Sequence, residues 1–388
     1  MLDSLGRPEH AATISTLLAD FPVVAILGAR QVGKTTLARA IAAGWPGDVT
    51  FFDLEDPESL ARFAAPKLAL ESLRGLVVLD EVQRLPEVFP VLRVLADRPG
   101  TPARFLVLGS SSPELLRQSS ETLAGRIAFH ELGGFSLSEV SAPRLHDLWV
   151  RGGFPRSFLA RDEAASWRWR GELTRTYLER DIPSYGFRLS PDTLRKFWTM
   201  VAHYHAQTWN GAELARALGV SESTVRHHLE ILQHTFMARR LEPWFENQGK
   251  RLVKAPKVYL TDTGLLHRLL GIATGHDLLS HPKVGASWEG FAIEQVIARL
   301  GAERSECWFW GLHSGAELDL LVVRGERRLG FEVKLTDAPK VTPSMRSALE
   351  ALRLDSLDVL HGGRTTFWLT ERIRAVSLHR LRDDVAPL

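Results

Sequence analysis

Cysteine is almost absent. Cys307 stands alone in 388 residues, so no disulfide can form within the chain, and its neighbours Trp308, Phe309 and Trp310 predict a buried thiol rather than a reactive one. Nowhere do 18 apolar residues run together, and the N-terminus lacks a basic stretch followed by an apolar core. A spanning helix and a secretory leader are therefore not expected; the reading is a cytoplasmic protein with no membrane partner. An excess of one charge is missing as well. Against 46 acidic residues stand 48 basic ones, nine of them Lys, so the net charge is +2 and any basic surface must be local. The length allows two or three cores.

What is present begins with Val23-Val24-Ala25-Ile26-Leu27, an apolar run that breaks into Gly28-Ala29-Arg30-Gln31-Val32-Gly33-Lys34-Thr35-Thr36. The pattern fits G-x-x-x-x-G-K-[ST] at every fixed position, with a helix-forming segment behind it. Glycines let successive backbone N–H groups turn inward toward phosphate oxygens, and the following helix aims its positive end at the same anion. Lys34 is expected to reach the β- and γ-phosphates of ATP, and Thr35 to hold Mg²⁺. Leu76-Val77-Val78-Leu79 then runs into Asp80-Glu81, an all-apolar strand ending in a carboxylate pair. Asp80 is expected on the Mg²⁺ side and Glu81 beside the attacking water. Phe105-Leu106-Val107-Leu108 should deliver Ser110 to the same edge of the sheet, and Arg126 is a candidate arginine finger. It would act either on a neighbouring subunit, which requires at least a dimer, or on phosphate bound to its own loop.

Strand and helix alternate from 20 to 132, which predicts a parallel sheet covered on both faces. Residues 146–190 carry Trp149, Trp167 and Trp169 at helical spacing and read as a helical lid or connector, the tryptophans serving packing. Between 191 and 260, ten basic residues face six acidic ones. Within that stretch a short helix ends at Gly219, and Ser221 caps a second helix whose inward stripe is Val225, Leu229 and Leu232. Ser223, Thr224, Arg226 and His227 are left outward, the side-chain types of a major-groove helix. Residues 237–241 and 251–254 around Gln248-Gly249-Lys250 suggest the wing of a winged helix, with Lys250 and Arg251 as DNA contacts; docking of a protein is the alternative for this module.

The final segment holds a hairpin. With Gly325-Glu326 as a two-residue turn, paired positions sum to 651, so Asp319 lies opposite Glu332 and Lys334 points the same way. Leu318, Leu320, Val322, Phe331, Val333 and Leu335 fall on the other face, which predicts an exposed cluster of two carboxylates and a lysine. Mg²⁺ or Mn²⁺ bridging Asp319 and Glu332, with Lys334 positioning water or phosphate, would reward the opposed charges. A solvated charged face, with Lys334 neutralising Glu332, is the other reading.

Taken together, the loop at 28–36, Leu79-Asp80-Glu81-Val82-Gln83, Gly109-Ser110-Ser111, Tyr177-Leu178-Glu179-Arg180-Asp181, Lys254-Ala255-Pro256-Lys257-Val258-Tyr259, Asp262-Thr263-Gly264-Leu265 and the hairpin resemble AAA_14-type P-loop ATPases that carry a C-terminal DUF4143 domain. The last domain is similar to the PD-(D/E)XK nuclease fold, and the resemblance assigns its metal site to Glu289, Asp319 and Glu332, with Lys334 beside them. It implies an α/β chain: a P-loop NTPase parallel sheet (1–145), a helical lid (146–190), a winged-helix module (191–275) and a restriction-endonuclease-like domain (276–388). The expected activity is ATP hydrolysis linked to DNA, with a metal-dependent nuclease at the C-terminal end. The competing expectation is a nucleotide-gated switch or scaffold without nuclease activity, docking a protein partner through the winged helix or the last domain.

Overall fold

The computed structural model describes residues 5–100, 103–110, 121–184, 190–245, 253–313 and 315–388. The chain divides into two compact units, one of residues 1–134 with Ile231–Met237, the other of Phe135–Glu230 with Ala238–Leu388.

The first unit is built on five strands, β1 (Val23–Leu27), β2 (Val49–Asp53), β3 (Leu76–Asp80), β4 (Arg104–Gly109) and β5 (Ile127–Glu131), in the order β2-β3-β4-β1-β5. Every pairing is parallel. Parallel strands buried on both faces must be apolar throughout, and β1 and β3 are buried at all five positions. Helices at Pro8–Asp20, Lys34–Ala43 and Val88–Ala96 are among those flanking the strands. This is the expected P-loop NTPase sheet, with the C-terminal ends of β1, β3 and β4 at one edge.

Farther along the chain, helices at Pro191–His203, Gly211–Leu218 and Glu222–His234 alternate with β6 (Gln207–Thr208) and lead into β7 (Ala238–Pro243) and β8 (Lys257–Leu260). The Gly211–Leu218 helix ends at Gly219 with φ +67°, a left-handed conformation that glycine adopts without a Cβ clash. Ser221 Oγ then accepts the Thr224 N–H at 3.1 Å, and Val225, Leu229 and Leu232 are buried. The partner of β7 is β8, beginning at Lys257, rather than the 251–254 stretch expected from sequence.

Strands β9 (Cys307–Gly311), β10 (Glu317–Arg324), β11 (Arg327–Lys334), β12 (Ser356–His361), β13 (Phe367–Trp368) and β14 (Ile373–Ser377) extend the same sheet. Its order is β13-β14-β12-β11-β10-β9-β7-β8-β6, because β7 pairs in parallel with β9 through Glu242↔Trp308 and Pro243↔Phe309. The sheet therefore runs across the boundary expected between 275 and 276. The β10–β11 hairpin has the expected register: Leu320↔Phe331 through Arg324↔Arg327, each pair summing to 651, with Gly325 at φ +61°.

Strict alternation along β10 fails. A bulge in its pairing with β9 falls between Leu318 and Leu321, and both side chains join one apolar cluster with Met345 and Ala348 of the Pro343–Ala351 helix. One extra residue in a strand shifts every later side chain to the other face. Residues 318 through 322 are all buried, so both faces are covered, and Asp319 (7% exposed) and Glu332 (6%) do not form the exposed cluster expected.

Candidate functional site

Gly28 leaves β1 where the chain after β5 crosses. A Cβ at Gly28 would stand 2.2 Å from the Leu132 carbonyl oxygen, so only glycine fits. Ala29 and Val32 are buried, Arg30 is half-buried and pairs with Glu55 at 2.5 Å, and Gln31 is exposed in the left-handed region at φ +64°. Gly33, at φ +103°, starts the Lys34–Ala43 helix. Lys34 is buried, and its ammonium donates to the carbonyl oxygens of Gly28 (2.9 Å) and Ala29 (3.0 Å) inside the loop. Thr36 is exposed on the helix's first turn.

Thr35 Oγ1 donates to Asp80 Oδ2 at 2.7 Å, which brings a hydroxyl from the loop helix against a carboxylate from the end of β3. Burial raises the Asp80 pKa, while the Thr35 hydrogen bond opposes the rise. A hard cation is held by just such oxygens, so the donor set fits Mg²⁺. Glu81 follows in the left-handed region at φ +56°, a strained position for a residue with a Cβ. Its carboxylate accepts from the Gln83 amide and from Ser110 Oγ (3.1 Å), and Gln83 Nε2 also donates to Ser110 Oγ at 2.8 Å. Loop, β3 end and β4 end thus meet as expected, with Lys34, Thr35, Asp80, Glu81 and Ser110 together. Gln83 was not among the expected site residues; its two-residue distance from Glu81 was the available signal. Arg7 was missed too. Its guanidinium donates to the carbonyl oxygens of Gly133 (3.0 Å), Gly134 (3.2 Å) and Val32 (3.5 Å), tying the N-terminal segment to the loop crest.

Arg126 lies elsewhere. It precedes β5, its carbonyl accepts the Val23 N–H at the start of β1, and its guanidinium pairs with Asp97 at 2.6 Å. That is the edge opposite the loop, a five-residue strand or roughly 16 Å away. Arg126 therefore does not sense phosphate bound to its own loop.

In the second unit the C-terminal carboxylates collect around a cation that the sequence reading did not foresee. Lys257 of β8 lies 3.2 Å from Glu289, 3.6 Å from Asp319, and in contact with Glu317. Glu289, on the Val284–Leu300 helix, also accepts from Tyr259 Oη at 2.7 Å. Asp319 Oδ2 accepts the Val333 N–H at 2.9 Å, and Lys334 pairs with Glu332 at 2.7 Å. Glu332 Oε2 is buried without a hydrogen-bond partner. Burial, reinforced by the charge of Asp319, pushes both Glu289 and Glu332 up to about 7. Burial opposes the charge on Lys257, but Tyr259, Glu289, Asp319 and Glu317 outweigh it and hold its pKa well above the ordinary value. Among the described residues no three carboxylate, imidazole or thiolate groups converge to hold a metal. Of the expected triad, Glu289 and Asp319 face Lys257, while Glu332 pairs with Lys334.

Ser223, Arg226 and His227 are exposed and Thr224 half-exposed on the Glu222–His234 helix, as expected; Lys250 and Arg251 lie outside the described residues. Cys307 is buried, and burial pushes its thiol up to about 11. Trp149 is buried and donates to Ser287 Oγ at 2.9 Å, while Trp167 stacks under Arg268, so these rings serve packing. No helix among the described residues is long and apolar enough to cross a membrane.

Comparison with known proteins gives three family-model matches: an AAA domain (AAA_14) over residues 20–141, a domain of unknown function (DUF8612) over 142–275, and a second domain of unknown function (DUF4143) over 284–381. Two mycobacterial proteins, "Uncharacterized protein Rv2008c" of Mycobacterium tuberculosis and "Uncharacterized protein Mb2031c" of Mycobacterium bovis, are each 47% identical over 372 residues, covering 96% of this chain and 83% of theirs. Among solved structures, the Walker-type ATPase PABY2304 of Pyrococcus abyssi is similar with TM-score 0.48 at 16% identity, over 69% of this chain and 96% of that one. The RuvB Holliday junction branch migration motor of Thermotoga maritima is similar with TM-score 0.33 at 17% identity, over 61% and 90%.

Proposed function

The chain belongs to the same family as the two mycobacterial proteins and carries the AAA_14 and DUF4143 domains, and from that premise we propose that it binds and hydrolyses ATP. One observation carries the reading: Lys34, Thr35, Asp80, Glu81 and Ser110, contributed by three strand ends, meet at one edge of the parallel sheet. The loop N–H groups and Lys34 would bind the phosphates, and Thr35 with Asp80 would hold Mg²⁺, which supplies charge neutralisation at the phosphoryl oxygens. Glu81 would orient a water and take its proton as the oxygen attacks the γ-phosphorus and the bond to the ADP oxygen breaks. For that, Glu81 has to turn from Gln83 and Ser110, which now hold its carboxylate. Measuring phosphate release from Mg·ATP by the native chain and by Lys34→Ala tests the proposal; equal rates in both would refute it.

The second unit supports DNA as the partner through the exposed Ser223, Arg226 and His227 and the half-exposed Thr224, on a helix followed by a β-hairpin in the manner of a winged helix. Residues 146–190 would then relay the nucleotide state. Arg126 could act on phosphate only in a second copy of the chain. For the C-terminal carboxylates, the placement of Lys257 favours the reading without nuclease activity, a nucleotide-gated switch or scaffold, over metal-dependent cleavage by Asp319, Glu332 and Lys334.

A further inference from the structure

Lys257 enters the carboxylate cluster from β8, about sixty residues before the hairpin that carries Asp319 and Glu332. Its ammonium is almost wholly withdrawn from solvent, with 6% of the side chain exposed. Around it stand Glu289, Glu317 and Asp319, with Tyr259 hydrogen-bonded to Glu289 and the Lys334–Glu332 pair alongside. Four carboxylates against two ammonium groups leave a formal −2, and removing Lys257 would leave −3.

A divalent cation held by Glu289, Glu317 and Asp319 would need their oxygens at about 2.0 to 2.6 Å. Those oxygens already converge on the Lys257 nitrogen, so an ion and the ammonium would compete for one volume, like charge against like. Lysine has the properties of a fixed counter-ion here: three N–H donors, a compact charge, and a stem long enough to arrive from a neighbouring strand. Burial of Glu289 and Asp319 side by side without a cation would be costly, so the cluster needs one. The fold supplies it covalently.

We propose that Lys257 is the resident cation of the C-terminal carboxylate cluster, standing where a divalent metal would otherwise sit, so that the cluster takes up no metal while Lys257 is present. The lysine joins β8 to the hairpin of the last domain and makes their association independent of metal supply. This deepens the reading without nuclease activity and leaves ATP hydrolysis untouched, so the two can fail separately.

The test is Mn²⁺ uptake by the full chain without nucleotide, followed by electron paramagnetic resonance, for the native protein, Asp319→Asn, Lys257→Met and the double variant. Native protein and Asp319→Asn should bind Mn²⁺ identically up to millimolar concentration, any uptake belonging to the nucleotide site. Lys257→Met should gain a site at least about tenfold tighter than any native uptake outside the nucleotide site, and the double variant should lose it again. Native uptake that Asp319→Asn abolishes overturns the proposal, as does a folded Lys257→Met protein that gains nothing. If Lys257→Met does not fold, native protein against Asp319→Asn decides: identical uptake supports the resident lysine, and an Asp319-dependent site overturns it.

Discussion

The hydroxyl of Thr35 donates to the carboxylate of Asp80 at 2.7 Å, joining the first turn of the loop helix to the end of β3. Two oxygens suited to one hard cation therefore stand side by side. Replacing Thr35 by Ala removes one oxygen and leaves Asp80 buried with one hydrogen bond fewer. The expected outcome is a loss in kcat of roughly 10- to 100-fold, about 1 to 3 kcal/mol of barrier, with the Mg²⁺ concentration for half-maximal rate moved upward. Phosphate release across a Mg²⁺ titration checks it; an unchanged titration would remove Thr35 from the metal site.

Glu81 and Gln83 should separate binding from hydrolysis. Glu81→Gln keeps the shape and hydrogen-bonding capacity of the side chain but cannot take a proton, so nucleotide should bind as in the native chain while turnover falls by roughly 10²- to 10⁴-fold. Gln83→Ala removes a donor that holds Glu81 and touches no expected phosphate position, so the change should be within about tenfold and should fall on kcat rather than on nucleotide affinity. Fluorescent-nucleotide titration beside steady-state rates distinguishes the two. A Gln83→Ala protein with weakened nucleotide affinity would mean the amide acts on the loop instead.

These site residues were legible because each is local to a strand end. An apolar run followed by glycine and lysine, or by two carboxylates, announces both the strand and what leaves it. The hairpin register was legible for a related reason: Gly325 fixes the turn and the turn fixes every pair to Leu320↔Phe331. The bulge at Asp319–Leu320 was not, since it arises in the pairing with β9, and hairpin logic considers β11 alone. Lys257 was invisible for the same reason. Nothing within sixty residues of Asp319 shows that a lysine from β8 will be delivered into its carboxylates, and a reading limited to the hairpin leaves only a metal or Lys334 in view as the cation.

Gly28 offers a test of the loop's fit that does not depend on chemistry. A methyl group there meets the Leu132 carbonyl oxygen at 2.2 Å, and a backbone atom held by the Leu132 N–H to Leu27 carbonyl bond (2.7 Å) has little room to retreat. Gly28→Ala should lower the stability of the first unit by about 1 to 3 kcal/mol. It should also weaken nucleotide binding, because the loop must shift away from Leu132. Thermal denaturation with and without ATP reads both effects; unchanged melting would show that the β5 exit moves freely.

Acid should destabilise the second unit through buried neutral imidazoles. Trp149 Nε1 donates to Ser287 Oγ (2.9 Å), Ser287 can then donate to His267 Nε2 (2.7 Å), and His267 Nδ1 donates to the Val150 carbonyl (3.0 Å). The chain of bonds is complete with His267 neutral, and a second ring proton would face the Ser287 hydroxyl hydrogen. Burial accordingly pushes His267 down to about 3, and His205 likewise. An unfolded histidine titrates near 6.5, so between 6.5 and 3 the unfolded state binds more protons and stability falls as pH falls. Each histidine should cost roughly 2 kcal/mol or more between pH 6.5 and 4.5. Raised carboxylates such as Glu289 and Glu332 act in the opposite sense, so the comparison to make is native against His267→Gln. Urea unfolding at both pH values should show a shallower pH dependence in the variant; identical slopes would mean the imidazole is not held neutral.

Arg226 is the residue on which the DNA reading depends most directly. It is exposed on a helix capped at Ser221 and anchored by buried Val225 and Leu229, so its removal leaves the helix in place. If it contacts a phosphate, Arg226→Ala should weaken binding to all duplexes alike and lower the slope of log K against log salt by about one, since about one counterion fewer is released. If it reads a base edge, the variant should lose about 1 to 3 kcal/mol on one preferred sequence and little on others. Fluorescence anisotropy with a panel of duplexes at several salt concentrations separates the two patterns. Native affinity that is the same for all duplexes, and unaltered in Arg226→Ala with an unaltered slope, would assign this helix to a protein partner, whose docking through Ser223, Thr224 and His227 need not carry a salt signature of that size.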